Sequence, residues 1–343
     1  MKNLVKTDGF AFVEFVSSSP AELVGLFERF GFRVAGRSKH DMVLMTQGAA
    51  AFVVNGNPNA FRMRHGASVR AIAIRVDDAR RAQEQALAGG ARIALAETEG
   101  AFVVDTPAIL GIGDSLVYFI DSDFRTCFDL PVDPHRTPAG DARIVAVDHT
   151  SNIVHPENLD RWADFYRDTF GFDERQYLEV KGRQTGMRAR SMVSPCGRVS
   201  IPVAAAAHDR PGVLNQNDEF IRDYGGEGIQ HIALLSADID ATIDRLASAG
   251  IAFMAAPSRH YYDGIDARLP AHGLDLERLA ARGILVDGKG PRRVLLQRFT
   301  QRQIGPVFFE IIERRGEDGF GEGNFKALFE SQEQDQQERG ARR

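Results

Sequence analysis

The chain has 343 residues, of which 43% are apolar and 26% are charged, values typical of a globular protein rather than a disordered or fibrous one. At about 150 residues per domain, this length predicts two domains with substantial cores. The net charge of −5 excludes a broad basic surface for nucleic acid. With 2 cysteines and no long apolar segment, the sequence predicts neither a disulfide framework nor a membrane span, and we expect a cytoplasmic location.

The first half of the chain predicts strands that alternate with helices. Phe10 to Val16 forms a strand, and Ser19 to Glu22 has the pattern of a capping-box helix start, with proline at the first helical position. Gly31 is expected to end this helix. Residues 69–74 predict a second strand, which a helix connects to further strands that close with residues 116–120.

The second half repeats this order of elements. A strand over residues 145–154 precedes a helix that ends in Phe170-Gly171-Phe172, just as the first helix ends in Phe30-Gly31-Phe32. Residues 229–234 predict the strand that opens the next unit, and residues 307–312 the strand that closes it. The matching order predicts an internal tandem repeat.

The repeat predicts two domains of the α+β class, over residues 1–135 and 140–343. Each domain is expected to contain two βαβββ modules. The proline- and glycine-bearing stretch 131–141 is the expected linker.

The two halves differ most where the second half carries His149, His231 and Glu310 on apolar strands. Their first-half counterparts are expected at apolar residues, namely near Phe10 or Ala11, at Ala71 and near Phe119. A carboxylate on such a strand needs a cation or strong hydrogen-bond donors when it is buried. Two histidines and one carboxylate are the ligand set typical of non-haem Fe(II) oxygenases. Two other interpretations stay open, an ion pair of Glu310 with an arginine and ordinary core histidines.

Sequence motifs around these residues occur in a characteristic order. They are VDH at 147–149, GEGIQHIA at 226–233, YY at 261–262, GILVD at 283–287, LLQ at 295–297, GPVFFEII at 305–312 and GFGEGNFKALFE at 319–330. With these motifs the chain resembles the bacterial branch of the 4-hydroxyphenylpyruvate dioxygenase family. The resemblance extends over nearly the whole chain and is most specific after residue 145.

The resemblance implies two tandem domains of the vicinal-oxygen-chelate (glyoxalase/dioxygenase-like) fold. The first would lack a metal site, and the second would bind Fe(II) through His149, His231 and Glu310. A C-terminal helix from about Asn324 would gate the pocket. The implied enzyme converts 4-hydroxyphenylpyruvate and O2 to homogentisate and CO2 in tyrosine and phenylalanine breakdown, and assembles as a homo-oligomer, a dimer or a tetramer.

The resemblance also implies roles for the residues of the pocket. Three amides are expected to take part in catalysis, namely Gln230, Gln297 and Asn324. The residues expected to contact the substrate are Gln216, Phe299, Phe308, Phe320, Phe325, Ala189, Pro202 and Ala204.

The sequence departs from the family's pattern at two polar pocket positions. Ala189 stands where the family usually has serine, and Ala204, in the segment after Pro202, where it usually has asparagine. Arg298 replaces a usual isoleucine and, by strand alternation, is expected to point away from the pocket toward the surface. The two alanines keep open a 2-oxo acid substrate with a less polar tail.

Two further alternatives concern the product and the class of protein. A 4-hydroxymandelate synthase would act on the same substrate, but Pro202 and the glycine-rich run 319–324 favour the homogentisate-forming enzyme. A non-catalytic protein of the same fold would bind a small molecule without turnover.

Overall fold

Two eight-stranded mixed sheets make up the structure, a computed structural model. The structure describes residues 3–38, 40–94, 106–129, 143–181, 186–207, 214–321 and 323–324. Within these ranges, every helix is too short or too polar to cross a membrane.

The first sheet lies in the first half of the chain. Its strands are β1 (Phe10–Val16), β2 (Arg33–Arg37), β3 (Met42–Gln47), β4 (Ala50–Asn55), β5 (Ser68–Arg75), β6 (Arg92–Ile93), β7 (Ala108–Leu110) and β8 (Leu116–Ile120). The helices of this half are α1 (Pro20–Arg29), α2 (Ala60–His65) and α3 (Ala79–Ala88). The strands are ordered β2-β3-β4-β1-β5-β8-β7-β6. The two βαβββ modules meet where β1 and β5 pair antiparallel.

The second sheet has the same topology. Its strands are β9 (Ile144–Val154), β10 (Asp173–Lys181), β11 (Gly186–Val193), β12 (Ser200–Ala207), β13 (Gly228–Ser236), β14 (Leu285–Gly290), β15 (Arg293–Phe299) and β16 (Phe308–Arg315). The helices are α4 (Leu159–Phe170), α5 (Gln216–Tyr224), α6 (Ile239–Ser248), α7 (Arg259–Asp263), α8 (Ile265–Arg268) and α9 (Leu276–Ala281). The order β10-β11-β12-β9-β13-β16-β15-β14 repeats that of the first sheet, which confirms the predicted tandem repeat.

The matching helices α1 and α4 end in the same way. Gly31 and Gly171 have φ angles of +88° and +72°, the left-handed conformation that glycine adopts without strain. The helix start is different from the prediction, because the Ser19 side chain makes no capping hydrogen bond. The ψ angle of Ser19 is 67°, away from the extended conformation that aims an N-cap side chain at the helix. The predicted capping box is therefore wrong, although Pro20 does begin the helix.

The two halves share one apolar core. The ring of Phe309 on β16 lies 4.8 Å from that of Phe30 in the first half, measured between centroids. The Phe119 ring on β8 lies 5.9 Å from the Phe170 ring on α4. The expected domain boundary at residues 135–140 falls outside the described residues and stays a prediction.

The strand register shows which first-half residues correspond to the predicted metal ligands. His149 and Glu310 both pair with the same residue of β13, and Phe12 and Tyr118 both pair with the same residue of β5. The counterparts of His149, His231 and Glu310 are thus Phe12, Ala71 and Tyr118.

Two of the expected counterparts are therefore wrong by one or two residues. The pairing of β1 with β5 shifts between Phe10 and Phe12, a bulge that the sequence pattern does not reveal. On β8, side chains alternate between faces, and Tyr118 rather than Phe119 lies near Phe12, with 6.0 Å between ring centroids. The first half thus carries two aromatic rings and an alanine where the second half carries its ligand set.

Candidate metal centre

Three adjacent strands of the second sheet bring His149, His231 and Glu310 together. They lie on β9, β13 and β16, and β13 pairs with both of the others. The Nε2 atom of His149 is 3.2 Å from Glu310 Oε2, and the Nε2 atom of His231 is 3.6 Å from the same oxygen. One ligand atom from each residue lies within 4.8 Å of the other two. His149 and Glu310 are almost fully buried.

The electrostatics of this cluster suit a divalent cation. Burial lowers the pKa of His149, but the Glu310 charge and the Asp148 hydrogen bond outweigh it and raise that pKa to about 9. Burial and the neighbouring His149 hold the pKa of His231 well below its usual value. Two imidazole nitrogens and one carboxylate oxygen, with space beside them, form a donor set for a transition metal with open coordination positions. The residues present therefore fit the metal that the fold implies.

Asp148 and Arg314 orient His149 from behind. Asp148 Oδ1 accepts a hydrogen bond from His149 Nδ1 at 2.8 Å, and Arg314 donates to both Asp148 oxygens at 2.7 and 2.8 Å. Burial alone would raise the pKa of Asp148, but the bonds from Arg314 and His149 lower it. An ionised Asp148 keeps the proton on Nδ1, so Nε2 is the nitrogen that would bind a metal after the metal displaces its proton. Neither role is predicted from the sequence.

A chain of amide hydrogen bonds orients Glu310. Gln297 Nε2 donates to Glu310 Oε1 at 2.8 Å, and Gln297 Oε1 accepts from Asn324 Nδ2 at 2.8 Å. The Tyr261 hydroxyl donates to Asn324 Oδ1 at 2.5 Å. Because Oε1 of Glu310 is engaged in this way, Oε2 is the oxygen that faces the histidines. Tyr261, which the sequence analysis assigned no role, completes the chain.

A cavity of about 680 Å³, including its open mouth, adjoins the cluster. The predicted site residues that line it are His149, Ala189, Pro202, Ala204, Gln216, Gln230, His231, Gln297, Phe299, Glu310, Phe320 and Asn324. Lining residues that the sequence analysis missed are Ser151, Ile153, Met187, Asn217 and Gly321. Phe325 and the predicted gating helix after Asn324 lie outside the described residues.

The aromatic residues surround the histidines from different sides. Phe320 meets His149 edge-on at 5.6 Å between ring centroids, and Phe299 lies 6.3 Å from His231. Phe308 stacks on His231 at 4.9 Å and supports that ring from outside the cavity lining. A contact of Phe308 with substrate stays a prediction.

Arg298 points away from the cavity, as strand alternation predicts, but it does not reach the surface. Its side chain is buried, and its guanidinium lies over the Phe253 ring at 5.1 Å. Burial lowers the pKa of Arg298 to about 10. The expected surface position is therefore wrong, because residues around Phe253 cover this face of β15.

Comparisons with known proteins agree with this geometry. Residues 1–130 match the family model described as "Hydroxyphenylpyruvate dioxygenase, HPPD, N-terminal", and residues 146–271 match the "Glyoxalase/Bleomycin resistance protein/Dioxygenase superfamily". The chain is 41% identical to a 4-hydroxyphenylpyruvate dioxygenase of Pseudomonas sp., over 97% of this chain and 96% of the relative. It is 42% identical to Hemolysin VllY of Vibrio vulnificus, over 98% and 97% of the two chains.

A solved structure shows the same fold. It is a triple mutant of 4-hydroxymandelate synthase from Streptomyces coelicolor, with a TM-score of 0.80 and 24% identity over 96% of this chain and 99% of that one. The paired eight-stranded sheets and the histidine–glutamate cluster define a metalloenzyme of the vicinal oxygen chelate superfamily. Within that superfamily the chain belongs to the 4-hydroxyphenylpyruvate dioxygenase family, and it is a dioxygenase.

Proposed function

We propose that the chain binds Fe(II) through His149, His231 and Glu310 and converts 4-hydroxyphenylpyruvate and O2 to homogentisate and CO2. The observation that carries this proposal is the convergence of the three ligand atoms at the wall of a cavity that aromatic and amide side chains line. Two Pseudomonas relatives named 4-hydroxyphenylpyruvate dioxygenase, at 41% and 39% identity, support the choice of substrate.

The side chains around the cluster have separate tasks in this proposal. Bound Fe(II) supplies exchangeable positions for the 2-oxo acid group and for O2. Gln297 and Asn324 hold Glu310 in place through their hydrogen bonds. Phe299 and Phe320 offer apolar walls that pack against the substrate ring and exclude water. Gln230 lines the cavity beside His231 and provides an amide to orient the substrate.

A second candidate substrate is a 2-oxo acid with a less polar tail. Ala189 and Ala204 are direct partners across β11 and β12, so their methyl groups face the same part of the cavity. This apolar surface accepts an aliphatic or unsubstituted aromatic tail. The 4-hydroxymandelate-forming reaction is the alternative outcome with 4-hydroxyphenylpyruvate itself.

The proposed reaction belongs to tyrosine and phenylalanine breakdown. We expect it to run in the cytoplasm, because the described cysteines Cys127 and Cys196 are free thiols, as is usual in a reducing compartment. A homo-oligomer, either a dimer or a tetramer, stays our prediction.

Product identification tests the proposed function. We expect the iron-loaded chain, mixed aerobically with 4-hydroxyphenylpyruvate, to yield homogentisate and CO2 in equal amounts, as determined by mass spectrometry. Formation of 4-hydroxymandelate would identify the alternative outcome. Binding of 2-oxo acids without any oxygen uptake would contradict the dioxygenase proposal and support a binding protein.

A further inference from the structure

The first turn of α5 forms part of the cavity wall and is firmly anchored. Asn215 Oδ1 accepts hydrogen bonds from the backbone N–H groups of Asn217 and Asp218, at 2.8 and 3.1 Å. Asn215 Nδ2 donates to the Gly186 carbonyl at 2.7 Å. These bonds tie the start of α5 to β11, the strand that carries Ala189.

Two amide side chains on this turn line the cavity, and each has a buried polar atom without a hydrogen-bond partner among the described residues. Gln216 is 6% exposed and Asn217 is 3% exposed, and both line the cavity. Gln216 Oε1 and Asn217 Nδ2 are buried, and among the described residues neither has a hydrogen-bond partner. A buried polar atom left unpaired costs about 1–3 kcal/mol. This turn therefore offers one acceptor and one donor, on adjacent residues, to a group that enters the cavity.

The neighbouring strands place a row of apolar side chains beside this turn. Ala204 pairs with Ala189 on one side and with Ile153 of β9 on the other, so three apolar side chains form one row. α5 packs against β12 and β9, which carry this row. Ile153 lies four residues along β9 from His149, so the row is well separated from the ligand cluster.

We propose that Asn217, together with Gln216, selects the substrate by hydrogen bonding to a hydroxyl group at the end of its tail. This inference rests on the proposed function, which fixes the 2-oxo acid group at the metal cluster and so directs the tail toward the apolar row. One hydroxyl accepts a hydrogen bond from Asn217 Nδ2 and donates one to Gln216 Oε1, which satisfies both amides. The substrate class is then a 2-oxo acid with a distal hydroxyl rather than a wholly apolar tail.

The charges around this turn favour an uncharged tail. Glu219 is buried beside it and pairs with Arg302 at 3.0 Å, and the Asp218 carboxylate accepts from the Asn215 backbone at 2.9 Å. The backbone N–H groups of Asn217 and Asp218, which could otherwise bind an anion, already donate to the Asn215 cap. A carboxylate tail would find the nearby Arg302 already paired with Glu219, whereas a neutral hydroxyl meets one donor and one acceptor.

Steady-state oxygen uptake with two substrates tests the role of Asn217. 4-Hydroxyphenylpyruvate and phenylpyruvate differ only in the distal hydroxyl, so the ratio of their kcat/KM values measures its recognition. We expect the wild-type chain to prefer the hydroxylated substrate and Asn217→Leu to lower the ratio about 10- to 100-fold, because a buried hydroxyl loses its donor. The loss should fall on 4-hydroxyphenylpyruvate, with phenylpyruvate turnover nearly unchanged.

Two further variants separate hydrogen bonding from packing. Asn217→Asp keeps the size of the side chain but removes its donor, and it should lose discrimination as Asn217→Leu does. Thr169→Val removes a buried hydroxyl of α4 that lies outside the cavity lining and has no hydrogen-bond partner in the described part of the chain, and it should leave the ratio unchanged.

Equal wild-type kcat/KM values for the two substrates, or undiminished discrimination in both Asn217 variants, would overturn this inference while leaving the dioxygenase proposal in place. Absence of oxygen uptake with every 2-oxo acid would overturn the proposed function and the inference with it.

Discussion

Hydrogen bonds from neighbouring residues orient two of the three predicted metal ligands. Asp148 accepts a hydrogen bond from Nδ1 of His149, and Gln297 donates one to Oε1 of Glu310. His149 and Glu310 therefore each present one defined atom to the cluster. Such supporting hydrogen bonds fix the tautomer and the orientation of metal ligands and raise metal affinity.

Removal of Arg314 should weaken iron binding without touching a ligand. Arg314→Met breaks the paired bonds to Asp148 and the bonds to the Glu317 and Gly319 carbonyls, which precede Phe320. We expect the dissociation constant for Fe(II) to rise about 10- to 100-fold in an anaerobic titration, because His149 loses its fixed orientation.

The adjacent arginine provides the matched control. Arg315 is half-exposed and pairs with Glu313 at 2.6 Å, so Arg315→Met should bind Fe(II) like the wild-type chain. Equal affinities in both arginine variants would show that the Asp148–Arg314 pair does not position His149.

At the residue scale, the sequence predicts which residues could bind a metal, but it does not predict which distant residues hydrogen-bond to them. His149, His231 and Glu310 stand out because their counterparts in the other half are not histidines or carboxylates. The orientation of His149 depends on the hydrogen bond between Arg314 and Asp148. The orientation of Glu310 depends on the chain that includes the hydrogen bond between Tyr261 and Asn324. No periodicity or motif spacing predicts which distant side chains meet. Asn217 was missed because its neighbour Gln216 alone matched the family's motif.

At the scale of elements, we expect alanine substitutions at two helix glycines to have opposite effects on stability. Gly171 ends α4 with φ +72°, where an alanine is strained by about 1 kcal/mol. Gly25 lies inside α1, and no described heavy atom lies within 4 Å of the position that a Cβ would take. We expect Gly171→Ala to lower and Gly25→Ala to raise the free energy of unfolding, each by about 1 kcal/mol, in urea titrations. Shifts in the same direction would contradict this assignment of helix interior and helix end.

Strand prediction succeeded where burial imposes a clear pattern. β1 and β8 match the predicted bounds because both are apolar runs, interrupted in β1 only by Glu14, between polar or glycine-bearing segments. The bulge in β1 and the missing cap at Ser19 were not predictable, because each depends on how neighbouring strands or backbone angles adjust after packing. The short strand β6 carries two exposed residues and gave no apolar signal.

For the whole molecule, the contact between the halves should make stability depend on pH. His65 of α2 contacts the second half, where its Nδ1 donates to the Tyr224 carbonyl at 2.7 Å and its ring stacks on that of Tyr224. Burial lowers the pKa of His65, and the nearby charge of Arg64 acts in the same direction. The hydrogen bond to the Tyr224 carbonyl and the charge of Asp114 raise the pKa, but they only partly offset this effect. The folded chain therefore keeps His65 neutral at a pH where the unfolded chain protonates it.

The sign of this effect follows from proton binding. Below about pH 6.5 the unfolded chain binds more protons at this position than the folded chain, so folding stability falls as the pH falls toward the lowered folded-state pKa. His65→Asn keeps a donor for Tyr224 but cannot titrate. We expect its unfolding free energy to fall less than that of the wild type between about pH 7.5 and 5.5. The exposed His155→Asn should behave like the wild type, and identical pH profiles for all three chains would contradict the prediction.

An oxygen-uptake titration tests most directly whether His149, His231 and Glu310 form the catalytic iron site. The metal-depleted chain is titrated anaerobically with Fe(II), and 4-hydroxyphenylpyruvate and O2 are then added. We expect uptake to rise with added iron, to saturate at about one iron per chain, and to release about one CO2 per O2 consumed. Glu310→Ala should lose both tight iron binding and uptake, while His155→Ala keeps both. Uptake without iron, or tight iron binding and full uptake in Glu310→Ala, would contradict the account.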